Sequence, residues 1–86
     1  MIVGIKKYGA DWCGPCKALD KTLDKFEKLH PEIKVERFNV DEMISYKLDE
    51  LNIKTIPVMF FVDESGKTVK RLGGAKSIQE IENELS

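Results

Sequence analysis

The chain is predicted to be an α/β domain of order β-α-β-α-β-β-α, with one four-stranded mixed sheet flanked by three helices. Three observations predict this. Apolar runs rich in β-branched and aromatic residues alternate with stretches whose apolar residues recur at helical spacing. Residues suited to turns and helix caps stand at the junctions between them. The 86 residues, 42% hydrophobic, suffice for one core and make residues 1–86 a single domain.

Ile2 to Tyr8 carries Ile2, Val3, Ile5 and Tyr8 and reads as the first strand. After Cys13, Pro15 suits the first position of a helix, because its fixed φ fits and its missing N–H would be unpaired there. Leu19, Leu23 and Phe26 then recur on one helical face, while Lys17, Asp20, Lys21, Asp24, Lys25 and Lys28 fill the others. His30-Pro31 ends that helix. Ile33 to Val40 is the second strand, joined to the first by a right-handed crossover and hence parallel to it. Asp41 is suited to cap a short helix with Ile44, Leu48 and Leu51 on its apolar face, and Asn52 to end it in a left-handed turn. The unbroken apolar run Val58 to Val62 is the pattern of a strand buried on both faces. Asp63-Glu64-Ser65-Gly66 supplies turn chemistry, and Lys67 to Leu72 is the return strand of a hairpin. Gly73-Gly74 breaks the chain. Ser77 with Glu80 forms a capping box before a last helix with Ile78, Ile81 and Leu85 on one face.

Charge excludes two classes of partner. Fourteen Lys and Arg against 15 Asp and Glu leave a net charge of −1, without the basic excess that nucleic acid or an anionic membrane selects. The apolar stretch from Ile56 to Val62 is far shorter than the roughly 20 residues that span a bilayer. Met1-Ile2-Val3-Gly4-Ile5 lacks the basic region of a secretory signal. Two cysteines are fewer than a disulfide-stapled secreted domain carries. These features predict a cytoplasmic monomer in a reducing compartment.

The chemistry concentrates where the first strand meets the first helix, at Trp12-Cys13-Gly14-Pro15-Cys16-Lys17. Cysteines at i and i+3 can close a small disulfide across one helical turn. A ring this short is a poor staple, because chain-entropy stabilisation grows with loop length. It suits a redox switch instead. The unpaired N–H groups and the dipole of a helix N-terminus lower a thiol's pKa, so Cys13 is assigned as the exposed nucleophile. Cys16, one turn further in, is the shielded resolving thiol. A zinc site is disfavoured: two cysteines and the single His30 fall short of four ligands, and no metal is expected.

These residues resemble the thioredoxin family. The Trp-Cys-Gly-Pro-Cys-Lys run is similar to its active-site motif. Thr55-Ile56-Pro57 looks like the loop that carries the family's cis-proline. Asn39-Val40-Asp41 is similar to its second-strand ending, and Ser65-Gly66-Lys67 to its hairpin turn. Gly73 or Gly74 matches the glycine that lets a substrate chain lie close. The resemblance covers essentially the whole chain and implies a minimal thioredoxin fold. It implies substrate contacts at Trp12, Gly14, Pro15, Ile56, Pro57, Gly73 and Gly74, with Ile56 pairing backbone to backbone with extended substrate. It also implies a redox-active Cys13–Cys16 disulfide with no bound cofactor, disulfide-containing client proteins, and thioredoxin reductase as the electron donor.

The sequence departs from the family in several places. Only twelve residues precede Cys13, so the strand and helix that open typical thioredoxins are absent, and the length matches glutaredoxins. Those usually carry Cys-Pro-Tyr-Cys, whereas this chain has Cys-Gly-Pro-Cys. Lys7 stands where thioredoxins usually bury an aspartate, six residues before the first cysteine. It either favours the Cys13 thiolate, which predicts a lower nucleophile pKa and a more oxidising couple, or snorkels to solvent. Asp11 and Lys17 are further candidates for tuning the thiols. Gly9 replaces a frequent tryptophan and thins the wall of the site; Lys21 replaces a helix-kinking proline; His30 is structural. The predicted activity is thiol–disulfide exchange that reduces protein disulfides and carries electrons. The alternatives are a glutaredoxin-like protein recharged by glutathione and a binding subunit without turnover.

Overall fold

The computed structural model describes residues 1–85. Its elements are β1 (Ile2–Gly9), α1 (Gly14–Leu29), β2 (Lys34–Asn39), a 3-10 turn (Val40–Glu42), α2 (Ser45–Glu50), β3 (Val58–Asp63), β4 (Thr68–Gly73) and α3 (Ile78–Asn83). The sheet order is β2-β1-β3-β4. As expected for the β-α-β unit, β1 and β2 are parallel. β1–β3 and β3–β4 are antiparallel, so the sheet is mixed.

Two cores lie on its two faces, because side chains alternate along a strand. Met59 and Phe61 of β3 join Ile5 of β1 beneath Leu19, Leu23 and Phe26 of α1 and Ile81 of α3. Val58 and Phe60 point the other way, to Tyr8, Ile53 and the apolar residues around α2. β3 is therefore buried on both faces, as its unbroken apolar run predicts. α1 runs unbroken for 16 residues through Lys21, with no proline to kink it.

Side-chain bonds close the ends of these elements. Ser77 and Glu80 form the expected capping box on α3, Ile81 is fully buried and Leu85 packs on the same core. Asn52 ends α2 with φ 56°. Arg71 of β4 donates to the carbonyls of Leu51 and Asn52, each at 3.0 Å, and lies 4.5 Å over the Phe60 ring. Asp63 Oδ1 accepts from Ser65 Oγ and from the amides of Ser65 and Lys67, which shapes the β3–β4 turn. These bonds, led by the Ser65 hydroxyl, hold its carboxyl below the usual range.

Three expectations are corrected. Asp41 does not cap α2. Asn39 Oδ1 accepts the Asp41 amide at 2.9 Å and folds Val40–Glu42 into a 3-10 turn. α2 then starts four residues later behind Ile44, without a side-chain cap. Ile44 accordingly lies outside the helix and is 67% exposed, while Leu48 and Leu51 do face the core. Pro15 is the second residue of α1, because Cys13 takes the cap and Gly14 the first position.

His30, at the end of α1, stacks on Phe26 at 4.6 Å. Its Nε2 meets Glu82 Oε2 of α3 at 2.7 Å and its Nδ1 meets Glu32 Oε2 at 3.4 Å. The Glu82 bond, more than the Glu32 bond, raises its pKa above the ordinary 6.5. Stability from this link is fully present below pH 6.5 and is lost as pH rises through the elevated value. His30→Gln should remove that alkaline slope, measured as the urea midpoint against pH; an unchanged slope would place its origin elsewhere. Phe61→Ala should cost about 3–5 kcal/mol, as loss of a buried ring does, read from denaturant unfolding.

Candidate active site

The site is built where α1 begins. Cys13 is its N-cap: the backbone is extended there, and Sγ accepts the Cys16 amide at 3.2 Å. The Cys13 amide donates to the Ala10 carbonyl at 3.2 Å, and the Cys13 carbonyl accepts from the Lys17 amide at 3.1 Å. The two cysteines are joined as a disulfide with Cα atoms 5.2 Å apart. They pack with Ala10 against Val40 and Ile56. Cys13 keeps 6% of its surface and Cys16 none. Cys16 is shielded; Cys13, expected to be exposed, is nearly covered as well in the disulfide form.

The segment before β3 faces this disulfide. The Ile56–Pro57 peptide bond is cis, Pro57 is fully buried, and Ile56 touches the cysteine cluster. The Pro57 carbonyl accepts the Gly74 amide at 2.8 Å, and Gly73 is registered against Val58. Gly74 has φ +89°, a conformation that side chains other than glycine rarely adopt. Gly73 and Gly14 border open space, where an added Cβ would meet nothing within 4 Å. Trp12 is 70% exposed, and its Nε1 donates to Asp41 Oδ2 at 2.8 Å. The indole is thus a tethered, solvent-facing plate.

Lys7 does not snorkel. It is 5% exposed, and its Nζ stands 3.0 Å from Asp20 Oδ1 of α1. The contact is ionic and not a directed hydrogen bond, since that buried oxygen has no hydrogen-bond donor aimed at it. Arg37 Nε lies 3.8 Å from the same oxygen. Gly9 explains how the lysine fits. A Cβ there would lie 2.8 Å from Lys7 Cε and Nζ and 3.0 Å from Cys16 Sγ. The wall thinned by glycine is filled by the lysine's end. A cleft of about 350 Å³ opens beside it, lined by Lys7, Gly9, Asp11, Lys17, Asp20 and Arg37 among others. Asp11 and Lys17 are exposed at its border.

Asp20 and Asp41 belong to this neighbourhood and are not among the site candidates that the sequence offers. Asp20 had a usable signal: it follows Cys16 by four residues and so shares its helix face. Asp41 is marked in the sequence as a cap and within Asn39-Val40-Asp41, but nothing local links it to Trp12, 29 residues away.

A cysteine pair at the start of the helix after a central strand, faced by a cis-proline, defines a dithiol–disulfide domain of α/β class. Comparison with known proteins narrows it. The Thioredoxin family profile matches residues 3–86. The chain is 30% identical over 80 residues to Thioredoxin H8 of Arabidopsis thaliana, covering 93% of this chain and 52% of that protein. It is also 30% identical over 80 residues to Thioredoxin of Alicyclobacillus acidocaldarius, covering 92% and 74%. Among solved structures, thioredoxin from Trypanosoma brucei brucei superposes with a TM-score of 0.83 at 24% identity, covering 98% of this chain and 72% of that one. A poplar thioredoxin h gives 0.83 at 28% identity, with 95% and 71% covered. The chain belongs to the thioredoxin family. It spans about half of the Arabidopsis relative and 38% of the mitochondrial Thioredoxin O of rice. Among the described residues no helix is long and apolar enough to cross a membrane.

Trp12 is the single tryptophan, so its tether can be read directly. Asp41→Ala should lower the steady-state anisotropy of Trp12 fluorescence, since the freed indole gains rotamers. An unchanged anisotropy would mean that packing, and not this bond, holds the ring.

Proposed function

We propose that this domain is a thiol–disulfide oxidoreductase that reduces disulfides of client proteins through Cys13 and Cys16. The observation that carries the reading is Cys13 as the cap of α1. Its sulfur accepts a backbone N–H at the positive end of a helix dipole, which favours the thiolate once the pair is reduced. Trp12, Gly14 and Pro15 on one side, with Ile56, Pro57, Gly73 and Gly74 on the other, border the groove in which an extended client segment lies. Ile56 offers its backbone to that segment.

Each turnover balances. The Cys13 thiolate attacks one client sulfur, forming a mixed disulfide and releasing the other client sulfur as a thiolate, which takes a proton from solvent. Cys16 then loses its proton and attacks Cys13 Sγ. The Cys13–client bond breaks, the second client sulfur leaves and is protonated, and the Cys13–Cys16 disulfide forms. Two electrons pass from the dithiol to the client. The domain works as a monomer in a reducing, cytoplasmic compartment, and thioredoxin reductase with NADPH restores the dithiol.

Cys13→Ser should reduce insulin disulfide cleavage to background. Cys16→Ser should accumulate a mixed disulfide with insulin that non-reducing gels resolve. Parallel assays with thioredoxin reductase and NADPH, or with glutathione alone, identify the reductant. Rapid recharging by glutathione and none by the reductase would replace the thioredoxin-type cycle with a glutaredoxin-type one. Full function in the Cys13→Ser/Cys16→Ser double variant would replace both with a binding role.

A further inference from the structure

The buried ammonium at Lys7 calls for an explanation, because an aliphatic residue would pack there without bringing a charge out of water. Ile5, Lys7 and Gly9 alternate onto the face of β1 that α1 covers, and Ile5 is a core residue on that face. Lys7 is registered between Arg37 of β2 and Met59 of β3. Its charge therefore sits at the sheet–helix interface, two residues before Gly9, whose Cβ position lies 3.0 Å from Cys16 Sγ.

The geometry bounds the distance to that sulfur. One point, the Gly9 Cβ position, is 2.8 Å from Nζ and 3.0 Å from Sγ. The ammonium and the inner sulfur are thus closer than those two lengths laid end to end, within the range of about 4–6 Å at which a charge shifts a neighbour's pKa by one to three units. Of the charges around the pair, the ammonium is the one this geometry sets against Cys16 Sγ. Asp20 Oδ1 is shared between Lys7 and Arg37. Arg37 is further engaged by Asp24 and Glu27. Asp11 and Lys17 line the cleft and offset one another. β3 contributes the apolar Met59 at this position.

Cys16 needs such a field. It has no exposed surface and packs with Ala10, Val40 and Ile56. Burial of this kind raises a thiol's pKa and leaves it protonated, whereas only its thiolate can attack the mixed disulfide. We propose that the Lys7 ammonium, anchored by Asp20, is the electrostatic partner that stabilises the Cys16 thiolate during the resolving step. The proton that Cys16 loses leaves by water in the adjoining cleft, and the departing client thiolate takes up an equivalent one. The site thus activates its inner thiol with a cation, in the place where the resemblance to thioredoxins puts a carboxylate. The Cys13 thiolate is served instead by the helix amides.

The inference rests on Cys16 being the resolving thiol, which the trapping of a mixed disulfide by Cys16→Ser checks separately. Its first test needs no client. In a Cys13→Ser background Cys16 is the sole thiol, and its pKa is read from thiolate ultraviolet absorbance and from the pH profile of iodoacetamide alkylation. Lys7→Met, which keeps the buried stem and removes the charge, should raise that pKa by about one unit or more. Lys7→Arg, which keeps the charge, should move it by less. With both cysteines present, single-turnover decay of the mixed disulfide at neutral pH should slow in Lys7→Met. The expected factor is about three- to fourfold per unit, because the less abundant thiolate is also the stronger nucleophile. Its pH profile should shift upward in step. An unchanged Cys16 pKa in Lys7→Met, or a shift as large in Lys7→Arg, overturns the proposal and leaves Lys7 a packing residue.

Discussion

The seating of α1 on the β1–β3 face is the interaction on which the rest of the molecule depends. Leu19, Leu23 and Phe26 meet Ile5, Met59 and Phe61 in one cluster without exposed surface to spare. Fully burying side chains of this size stabilises by roughly 1.5–3 kcal/mol each. Because β1 and β3 are both internal strands, their backbones are hydrogen-bonded along both edges and cannot adjust independently. A helix docked on such a floor has a fixed axial position. Its first turn must then fall beside the loop that precedes β3, where Pro57 and the Gly74 amide close the far side of the site. The reactive pair is placed by packing several residues away from it.

The same docking brings charge to an interface that is otherwise apolar. Asp20, Asp24 and Glu27 recur along one stripe of α1, and Arg37 reaches all three from β2. Exposed pairs of this kind contribute little individually, and Asp24 and Glu27 are largely in solvent. Asp20 differs, since its inner oxygen is buried against Lys7. Breaking a buried pair from one side leaves a charge without compensation. The ionic cluster is therefore graded, from solvated at the helix's far end to buried at the sulfur.

How far the sequence could be read follows from how local each determinant is. The capping box at Ser77 and Glu80, the left-handed Asn52 and the unbroken apolar run of β3 are encoded within a few residues, and each forms as read. The cysteine spacing and the proline before β3 likewise mark the site directly. The start of α2 is not legible in the sequence because two side chains compete for one backbone. Asn39 bonds the Asp41 amide, and Asp41 is drawn away to Trp12. Lys7 was the harder case. The sequence leaves open whether its charge serves the thiols or reaches solvent, and alternation with Ile5 and Gly9 is the local hint that it turns inward. Its partner Asp20 is identifiable only once α1 is laid across β1.

Both edges of the sheet carry charge at the surface. β2 bears Lys34, Glu36 and Arg37, and β4 bears Lys70 and Arg71. An edge strand offers unpaired N–H and C=O groups to any extended chain, and charged residues discourage such pairing. For a domain proposed to engage partly unfolded, disulfide-bearing chains, that protection has a particular value. A client that added itself to β2 or β4 would be held by its backbone along several residues, far from the sulfurs, with no chemical event to end the encounter. Guarded edges fit the proposed binding at Ile56, where contact would end when the disulfide is exchanged.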